Sequence, residues 1–205
     1  MAARDFTNES LVNLLLRLKR SLGLRLRGRM LTFLLAFSPG SSKCLAIGVR
    51  PKIINSKGIF IGHGVSFGDL CRLECYYNDV YPMGKSAKII IGENSSFGDF
   101  THIGAINSII IGKNLLCAGK VLIIDHDHGK CGADLKNYRS VHPSLRELIS
   151  KGSIKIGDNV WIGESAVILA GSNIGDGSVI GANSVVRGYV PTMTVYKSEL
   201  NIKKL

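Results

Sequence analysis

The chain has 205 residues with 24 glycines, five prolines and a formal charge of +11. This length fits one main domain with an appendage, and abundant glycine with short β-branched runs indicates a turn-rich β protein, not a helical bundle. The charge favours anionic partners without choosing among nucleic acid, acidic lipid, phosphorylated cofactor or acidic polysaccharide. Five cysteines without CxxC pairs predict reduced thiols in the cytosol, and Cys71 and Cys75 are interpreted as packing residues.

The N-terminal segment, residues 1–42, is predicted to be a basic amphipathic helical segment. Its leucines recur at helical spacing among arginines and lysines: Leu11, Leu14, Leu15, Leu18 and Leu22. The uncharged stretch 30–42 is broken by Pro39-Gly40 and is shorter than the roughly 20 residues that cross a bilayer. Such a helix either lies on an anionic membrane or packs on the main domain with its arginines in water. Because aromatic residues are not interleaved, nucleic-acid binding is not predicted.

A six-residue repeat organises the rest of the chain. Aliphatic residues return at every sixth position in the last block: Ile156, Ile162, Ile168, Ile174, Ile180 and Val186. Three upstream blocks continue the register: Ile61, Phe67, Leu73; Ile91, Phe97, Ile103; and Ile111, Cys117, Ile123. A period of six excludes an ordinary helix and a simple alternating strand. It predicts a triangular prism whose stacked coils bury these side chains.

The repeat breaks near 76–88, briefly at 107–110, and over the longest stretch, 129–153. Insertions have to leave a stacked solenoid as loops, and loops on a rigid scaffold commonly carry function. We therefore expect a β-helix domain at 43–191 with an extended loop at 129–153 and a C-terminal tail at 192–205.

The third block ends in the sequence IIDHDHGK at 123–130, in which His126 and His128 alternate with Asp125 and Asp127. An imidazole can accept the proton of an attacking hydroxyl near neutral pH, and a carboxylate can fix its tautomer. Histidines two residues apart could equally bind a metal ion or lie in a solvated turn. The residues alone leave these alternatives open.

Two stretches carry a family resemblance: IKIGDNVWIGESAVILAGSNIGDGSVIGANSVV at 154–186 and SIIIGKNLLCAGKVLIIDHDHG at 108–129. They resemble the hexapeptide-repeat acyltransferases, in particular the galactoside, maltose, serine and surface-polysaccharide O-acetyltransferases, over roughly residues 59–191. The resemblance implies a mainly β, left-handed parallel β-helix. It also implies acetyl-CoA as co-substrate, no required metal, and a homotrimer with each active site between adjacent subunits.

The resemblance further implies roles for individual residues. In the family a histidine after a middle coil is the general base on the acceptor hydroxyl, which attacks acetyl-CoA directly. A gap-free count from Gly112 places His128 at that position, with His126 as second choice. Asp99, after SSFG, lies where the family has an acceptor-contacting residue, usually asparagine. The donor contacts implied are Trp161 beside the pantetheine arm, and Gly163, Gly181 and Ala182 along the cofactor. Arg187 lies just past the last full coil and is expected, from its charge and not from the resemblance, to meet the phosphates of the cofactor.

The leading prediction is an O-acetyltransferase acting on a carbohydrate hydroxyl, in a surface polysaccharide such as capsule or lipopolysaccharide, or in its precursor. The basic N-terminal segment suggests a cytoplasmic enzyme with peripheral contact at the inner membrane face. One alternative is a γ-class carbonic anhydrase-like metalloenzyme, which would need three protein ligands for zinc. Another is a non-catalytic β-solenoid that serves as a binding module.

Overall fold

The structure is a computed structural model that describes residues 22–28, 41–42, 45–76, 88–129 and 141–198. Residues 22–28 are helical, within the predicted N-terminal helical segment, most of which lies outside the described residues. None of the described helices has the length and apolar character that a membrane-spanning helix requires.

Three parallel sheets form the sides of a triangular prism, with strands numbered in chain order. Seven strands form face A: β1 (Ala46–Ile47), β4 (Ser66–Phe67), β7 (Ser96–Phe97), β10 (Leu116–Cys117), β15 (Trp161–Ile162), β18 (Val179–Ile180) and β21 (Val195–Tyr196). Six form face B: β2 (Lys52–Ile54), β5 (Arg72–Cys75), β8 (His102–Ala105), β11 (Leu122–Ile124), β16 (Val167–Leu169) and β19 (Val185–Val186). Six form face C: β3 (Ile59–Ile61), β6 (Lys88–Ile91), β9 (Ser108–Ile111), β14 (Ile154–Ile156), β17 (Asn173–Ile174) and β20 (Tyr189–Val190).

Consecutive strands pass from one face to the next, so each full coil contributes one strand to every face. Strands of successive coils pair in parallel, for example β5 with β8 and β8 with β11. The mainly β, left-handed parallel β-helix that the family resemblance implies is confirmed.

The core is a column of sixth-position side chains. All fifteen residues of the repeat are at most 3% exposed, which confirms that they fill the narrow interior. Phe67 and Phe97 stack in successive coils with ring centroids 4.7 Å apart. The buried hydroxyl of Ser178 has a main-chain partner, since it donates to the Pro191 carbonyl at 2.7 Å. Cys71 and Cys75 are buried in the same core, as predicted for packing residues.

The prism begins earlier and ends later than the repeat alone suggests. β1 and β2 precede the first predicted block. The repeat does not reveal them, because a 3₁₀ turn at Ser56–Gly58 shifts the six-residue period between β2 and β3. At the other end β21 pairs with β18 within the predicted tail 192–205, and Tyr196 packs against the core. The coils therefore continue past residue 191.

Both long insertions leave the prism at the edge between faces B and C, here called the BC corner. Residues 76–87 connect β5 to β6, and residues 125–153 connect β11 to β14. Between them β8 reaches β9 through only Ile106 and Asn107. Near its two ends the second insertion forms an antiparallel ribbon, in which β12 (Asp127–His128) pairs with β13 (Leu148–Ile149). A 3₁₀ turn at Pro143–Leu145 lies just before β13.

Candidate active site

Asp125 anchors the BC corner beneath the second insertion. Its side chain is fully buried. The carboxylate accepts hydrogen bonds at 2.8–2.9 Å from three consecutive backbone N–H groups, those of Ile106, Asn107 and Ser108. An ionised carboxylate in the interior needs such donors to offset its lost hydration. Asp125 thereby joins the end of one coil to the turn of the preceding coil.

His126 is the buried member of the histidine pair. Its Nδ1 lies 3.2 Å from Oδ1 of Asp125, and the residue is 8% exposed. Because the carboxylate can only accept, Nδ1 donates to it, and Nε2 is the ring nitrogen left to act as a base. The Tyr76 ring meets the imidazole edge-on with centroids 5.7 Å apart. Of the two aspartates that alternate with the histidines, Asp125 therefore contacts an imidazole.

His128 is the exposed member of the pair. It lies on β12 opposite Leu148, at the start of the ribbon. The carboxylate of its neighbour Asp127 forms an ion pair with Nζ of Lys151 at 3.2 Å. The ribbon thus presents one imidazole to solvent while the preceding one is held inside.

A second buried carboxylate, Glu74, lies on face B beside this corner, and the sequence reasoning missed it. Glu74 is 1% exposed. It accepts from the Tyr76 hydroxyl at 2.8 Å and from Nε2 of His102 at 2.9 Å. Nζ of Lys52 and the Arg72 guanidinium approach it at 2.8 and 2.9 Å. We call these five residues the Glu74 cluster.

The charges of the Glu74 cluster fix its protonation. Burial by itself would raise the pKa of Glu74, but hydrogen bonds from Lys52, Arg72, Tyr76 and His102 outweigh burial and lower the pKa to about 2. The pKa of His102 is lowered, first by burial and then by the nearby Arg72 charge, against the opposing effect of Glu74. The pair therefore favours an ionised carboxylate beside a neutral imidazole.

Gly104 links the two histidine–carboxylate pairs. A Cβ at this position would lie 3.4 Å from both Nε2 of His102 and Cε1 of His126, so the rings are neighbours with a glycine between them. The sequence contains a signal that Arg72, Glu74, His102 and Gly104 lie together. The repeat places Leu73, Ile103 and Ile123 in successive coils, so the residues just before and after them stack on the outer surface.

Asp99 lies at a different corner, between faces A and B. Its Oδ1 accepts the backbone N–H of Asp69 at 2.7 Å, and Asp69 in turn accepts the N–H of Val49 at 2.9 Å. The same contact thus recurs in successive coils. This geometry gives Asp99 a place in a structural ladder at a different corner from the His126 and His128 pair of its own chain.

Four of the five predicted donor contacts lie together, along face A. Trp161 is 52% exposed on β15. Gly163 follows it, and its Cβ position would be 2.5 Å from the backbone nitrogen of Ala182, next to Gly181. Arg187 is also exposed but follows β19 on face B, at another corner. Within one chain, Trp161 and the histidine pair are thus on different sides of the prism.

Metal binding by the histidines is one alternative that the sequence leaves open. Across the part of the chain that the structure describes, no three His, Cys, Asp or Glu side chains are arranged to bind a metal ion. The contacts that His102 and His126 do make are to Glu74 and Asp125, and contacts of this kind fix a tautomer.

Comparison with known proteins identifies the family. The bacterial transferase hexapeptide family matches residues 153–188. The chain is 37% identical over 153 residues to WbbJ of Escherichia coli K12, which is named as an O-acetyl transferase of lipopolysaccharide biosynthesis, and the match covers 74% of each chain. It is 34% identical over 116 residues to the galactoside O-acetyltransferase of Escherichia coli K12, covering 51% of this chain and 57% of that one. AntD, an N-acyltransferase of Bacillus cereus, shares the fold with a TM-score of 0.55 at 20% identity over 72% of each chain. The chain therefore belongs to the hexapeptide-repeat acetyltransferase family.

Proposed function

We propose that this protein transfers the acetyl group of acetyl-CoA to a hydroxyl of a carbohydrate, in a surface polysaccharide or its precursor, with a histidine as general base. The carrying observation is that both long insertions leave the prism at the BC corner, where His126 and His128 follow β11. Long loops beside a rigid scaffold suit recognition of a large, variable acceptor. The name of WbbJ supports the same acceptor class.

His128 is the proposed base. It is exposed on a ribbon that Asp125 anchors from below, so an acceptor hydroxyl can reach its ring. The imidazole takes the hydroxyl proton as the oxygen forms its bond to the thioester carbonyl. When the tetrahedral intermediate collapses, the C–S bond breaks, and the imidazolium returns the proton to the departing thiolate. His126, with its tautomer set by Asp125, is the second candidate.

A homotrimer is proposed because one chain does not bring the two halves of the site together. The donor residues around Trp161 lie along face A, whereas the histidines lie at the BC corner. A neighbouring copy would place its face A beside this corner. Mixed oligomers of His128→Ala and Trp161→Ala subunits should then recover part of the activity that each variant lacks alone. Failure of mixed, refolded oligomers to recover any activity would contradict a shared site.

Membrane association is proposed for the basic N-terminal segment, at the cytoplasmic face of the inner membrane. The leucine–arginine pattern of residues 1–42 fits an anionic surface. Flotation with vesicles containing phosphatidylglycerol should carry the full chain but not a variant lacking residues 1–42. Equal flotation of both proteins removes this part of the proposal.

The function is tested by offering acetyl-CoA with a panel of sugars and oligosaccharides while free thiol is measured. The parent should release coenzyme A in an acceptor-dependent way. His128→Ala should lose roughly 10²- to 10⁴-fold in rate, the usual contribution of a general base, while its thermal unfolding stays close to that of the parent. A normal rate in this variant together with loss in His126→Ala would move the base to His126. If no acceptor in the panel increases thiol release by the parent, sugar acetylation is contradicted.

A further inference from the structure

The proposed reaction does not use the Glu74 cluster, although one of its members has an unused nitrogen. Because Glu74 is ionised, it accepts the proton of Nε2 of His102 across 2.9 Å. Nδ1 of the neutral ring then carries a lone pair and can only accept. No partner for Nδ1 is found among the residues that the structure describes, and the side chain is 20% exposed.

Arg72 supplies the complementary groups beside it. Arg72 and His102 are register partners on adjacent strands β5 and β8. Nε and Nη2 of Arg72 donate to Glu74. Within the described part of the chain, Nη1 has no such partner, and the side chain is 44% exposed. An N–H donor and an imidazole acceptor therefore lie side by side on face B, both held by one buried carboxylate.

We propose that His102 and Arg72 form a subsite that binds a hydroxyl of the acceptor sugar other than the one acetylated. This inference rests on the proposed function. A hydroxyl can donate its proton to Nδ1 of His102 and accept from Nη1 of Arg72 at the same time. A carboxylate or a fully ionised phosphate has no proton for the imidazole. The subsite thus selects a neutral polyol part of the acceptor, in spite of the basic charge of the whole chain.

The location fits a group that orients the acceptor near the base. The rings of His102 and His126 lie on either side of Gly104, each 3.4 Å from the position that a Cβ on this residue would take. Both insertions leave the prism at this edge. In this scheme His102 binds the sugar directly and does not touch the reacting atoms. Burial and the Arg72 charge lower its pKa and so maintain the accepting form.

The test uses the full-length protein, a panel of neutral methyl pyranosides and their monodeoxy analogues. His102→Leu removes the accepting nitrogen and should raise the acceptor KM by about 3- to 10-fold, the effect of one neutral hydrogen bond, while the KM for acetyl-CoA is unchanged. One monodeoxy analogue should bind the parent more weakly by the same factor, and His102→Leu should no longer distinguish it from the full sugar. His102→Gln retains both a donor for Glu74 and an acceptor, and should recover part of the affinity if His102→Leu folds poorly. His63→Leu makes the same change at an exposed histidine on another corner and should change neither KM.

Direct binding separates this inference from the proposed function. Calorimetric titration of the pyranosides without acetyl-CoA should show binding. In the same titration the ¹⁵N signal of Nδ1 of His102 should shift. Absence of turnover in the parent with every sugar would contradict the acetyltransferase proposal only. Binding that is equal in parent and His102→Leu would overturn the subsite. Absence of binding by every pyranoside would also overturn it. So would a methyl glucuronide that binds the parent more tightly than the neutral glucoside does and loses this advantage in His102→Leu.

Discussion

Asp125 and His126, neighbours in the chain, are joined through their side chains, with Oδ1 of Asp125 3.2 Å from Nδ1 of His126. The same oxygen accepts the N–H of Ile106 at 2.8 Å, and the other oxygen accepts those of Asn107 and Ser108. One carboxylate therefore holds both an imidazole and the turn of the preceding coil. Because His128 follows two residues later, this contact sets the direction in which the ribbon leaves the prism.

Replacing Asp125 with asparagine should destabilise the protein through this contact. In either amide orientation an NH₂ group would face backbone N–H donors that now have an acceptor. We expect the free energy of unfolding to fall by about 2–3 kcal/mol, from lost charge-assisted bonds and unsatisfied donors. Denaturant titration at fixed protein concentration measures this loss.

Asp127→Asn is the matched control for that substitution. Its carboxylate is partly exposed and forms a single ion pair with Lys151, a contact that contributes about 0–1 kcal/mol. Equal destabilisation by the two substitutions would contradict the role given to Asp125.

Glu74 predicts a specific dependence of stability on pH. Its pKa is about 2 in the folded protein against an ordinary value of 4.5. A carboxyl with a depressed folded pKa stabilises the protein above the unfolded pKa, and this stabilisation disappears as pH falls through the folded value. The difference corresponds to about 3 kcal/mol, lost progressively between about pH 4.5 and 2.

Glu74→Gln tests this dependence. Urea unfolding from pH 6 to pH 3 should show a flatter stability profile for Glu74→Gln than for the parent, because the variant has no proton to gain. Glu93→Gln, which removes an exposed carboxylate 3.6 Å from Lys113, should keep the parental slope. Parallel profiles for the parent and Glu74→Gln would show that the cluster does not stabilise the ionised carboxylate.

The core cysteines should be chemically inert in the folded protein. Cys71, Cys75 and Cys117 are at most 2% exposed, and burial raises the pKa of their thiols to about 11, 11 and 12. The thiolate, which is the reactive form, is therefore scarce at pH 8. A variant with Cys44 and Cys131 replaced by serine should give no reaction with Ellman's reagent when folded and three thiols in guanidinium chloride. Rapid labelling of even one thiol in the folded variant would contradict this arrangement.

The six-residue period predicts the interior of the prism because a narrow coil accepts one aliphatic side chain at each equivalent position. The prediction fails where extra residues interrupt the period. The 3₁₀ turn at Ser56–Gly58 is such an interruption, and the repeat therefore does not reveal the coil that contains β1 and β2. The period also does not determine which outer residues become buried. Glu74 is enclosed because Arg72, Tyr76 and His102 converge on it, and their side-chain directions are not encoded in spacing.

The histidine pair was predicted at the point where it lies, but its pairing with the aspartates was not. Regular extended chain would place Asp125 and Asp127 on one side and His126 and His128 on the other. The chain instead turns at the BC corner, so Asp125 points inward to the Ile106 turn and contacts His126. Asp127 reaches Lys151 across the ribbon. The corner, and not the local alternation, decides which carboxylate orients which ring.

Gly163 and Gly181 were both predicted as donor contacts, and the packing of coils gives them different tolerances. A Cβ on Gly163 would lie 2.5 Å from the backbone nitrogen of Ala182, whereas a Cβ on Gly181 would first meet Cγ of Lys197 at 3.1 Å. Neither glycine has a positive φ, so space alone separates them. Gly163→Ala should lower the free energy of unfolding by about 1–3 kcal/mol, as overpacking does.

Gly181→Ala should change stability by less than about 0.5 kcal/mol, because at 3.1 Å the Lys197 side chain has to give way by only a few tenths of an ångström. If Gly181 lines the pantetheine groove, the same variant should raise the KM for acetyl-CoA while its unfolding midpoint stays parental. Thermal unfolding and donor saturation curves of the two variants therefore distinguish a glycine needed for stacking from one needed for binding. Parental stability of Gly163→Ala would contradict the close approach of the coils at this position.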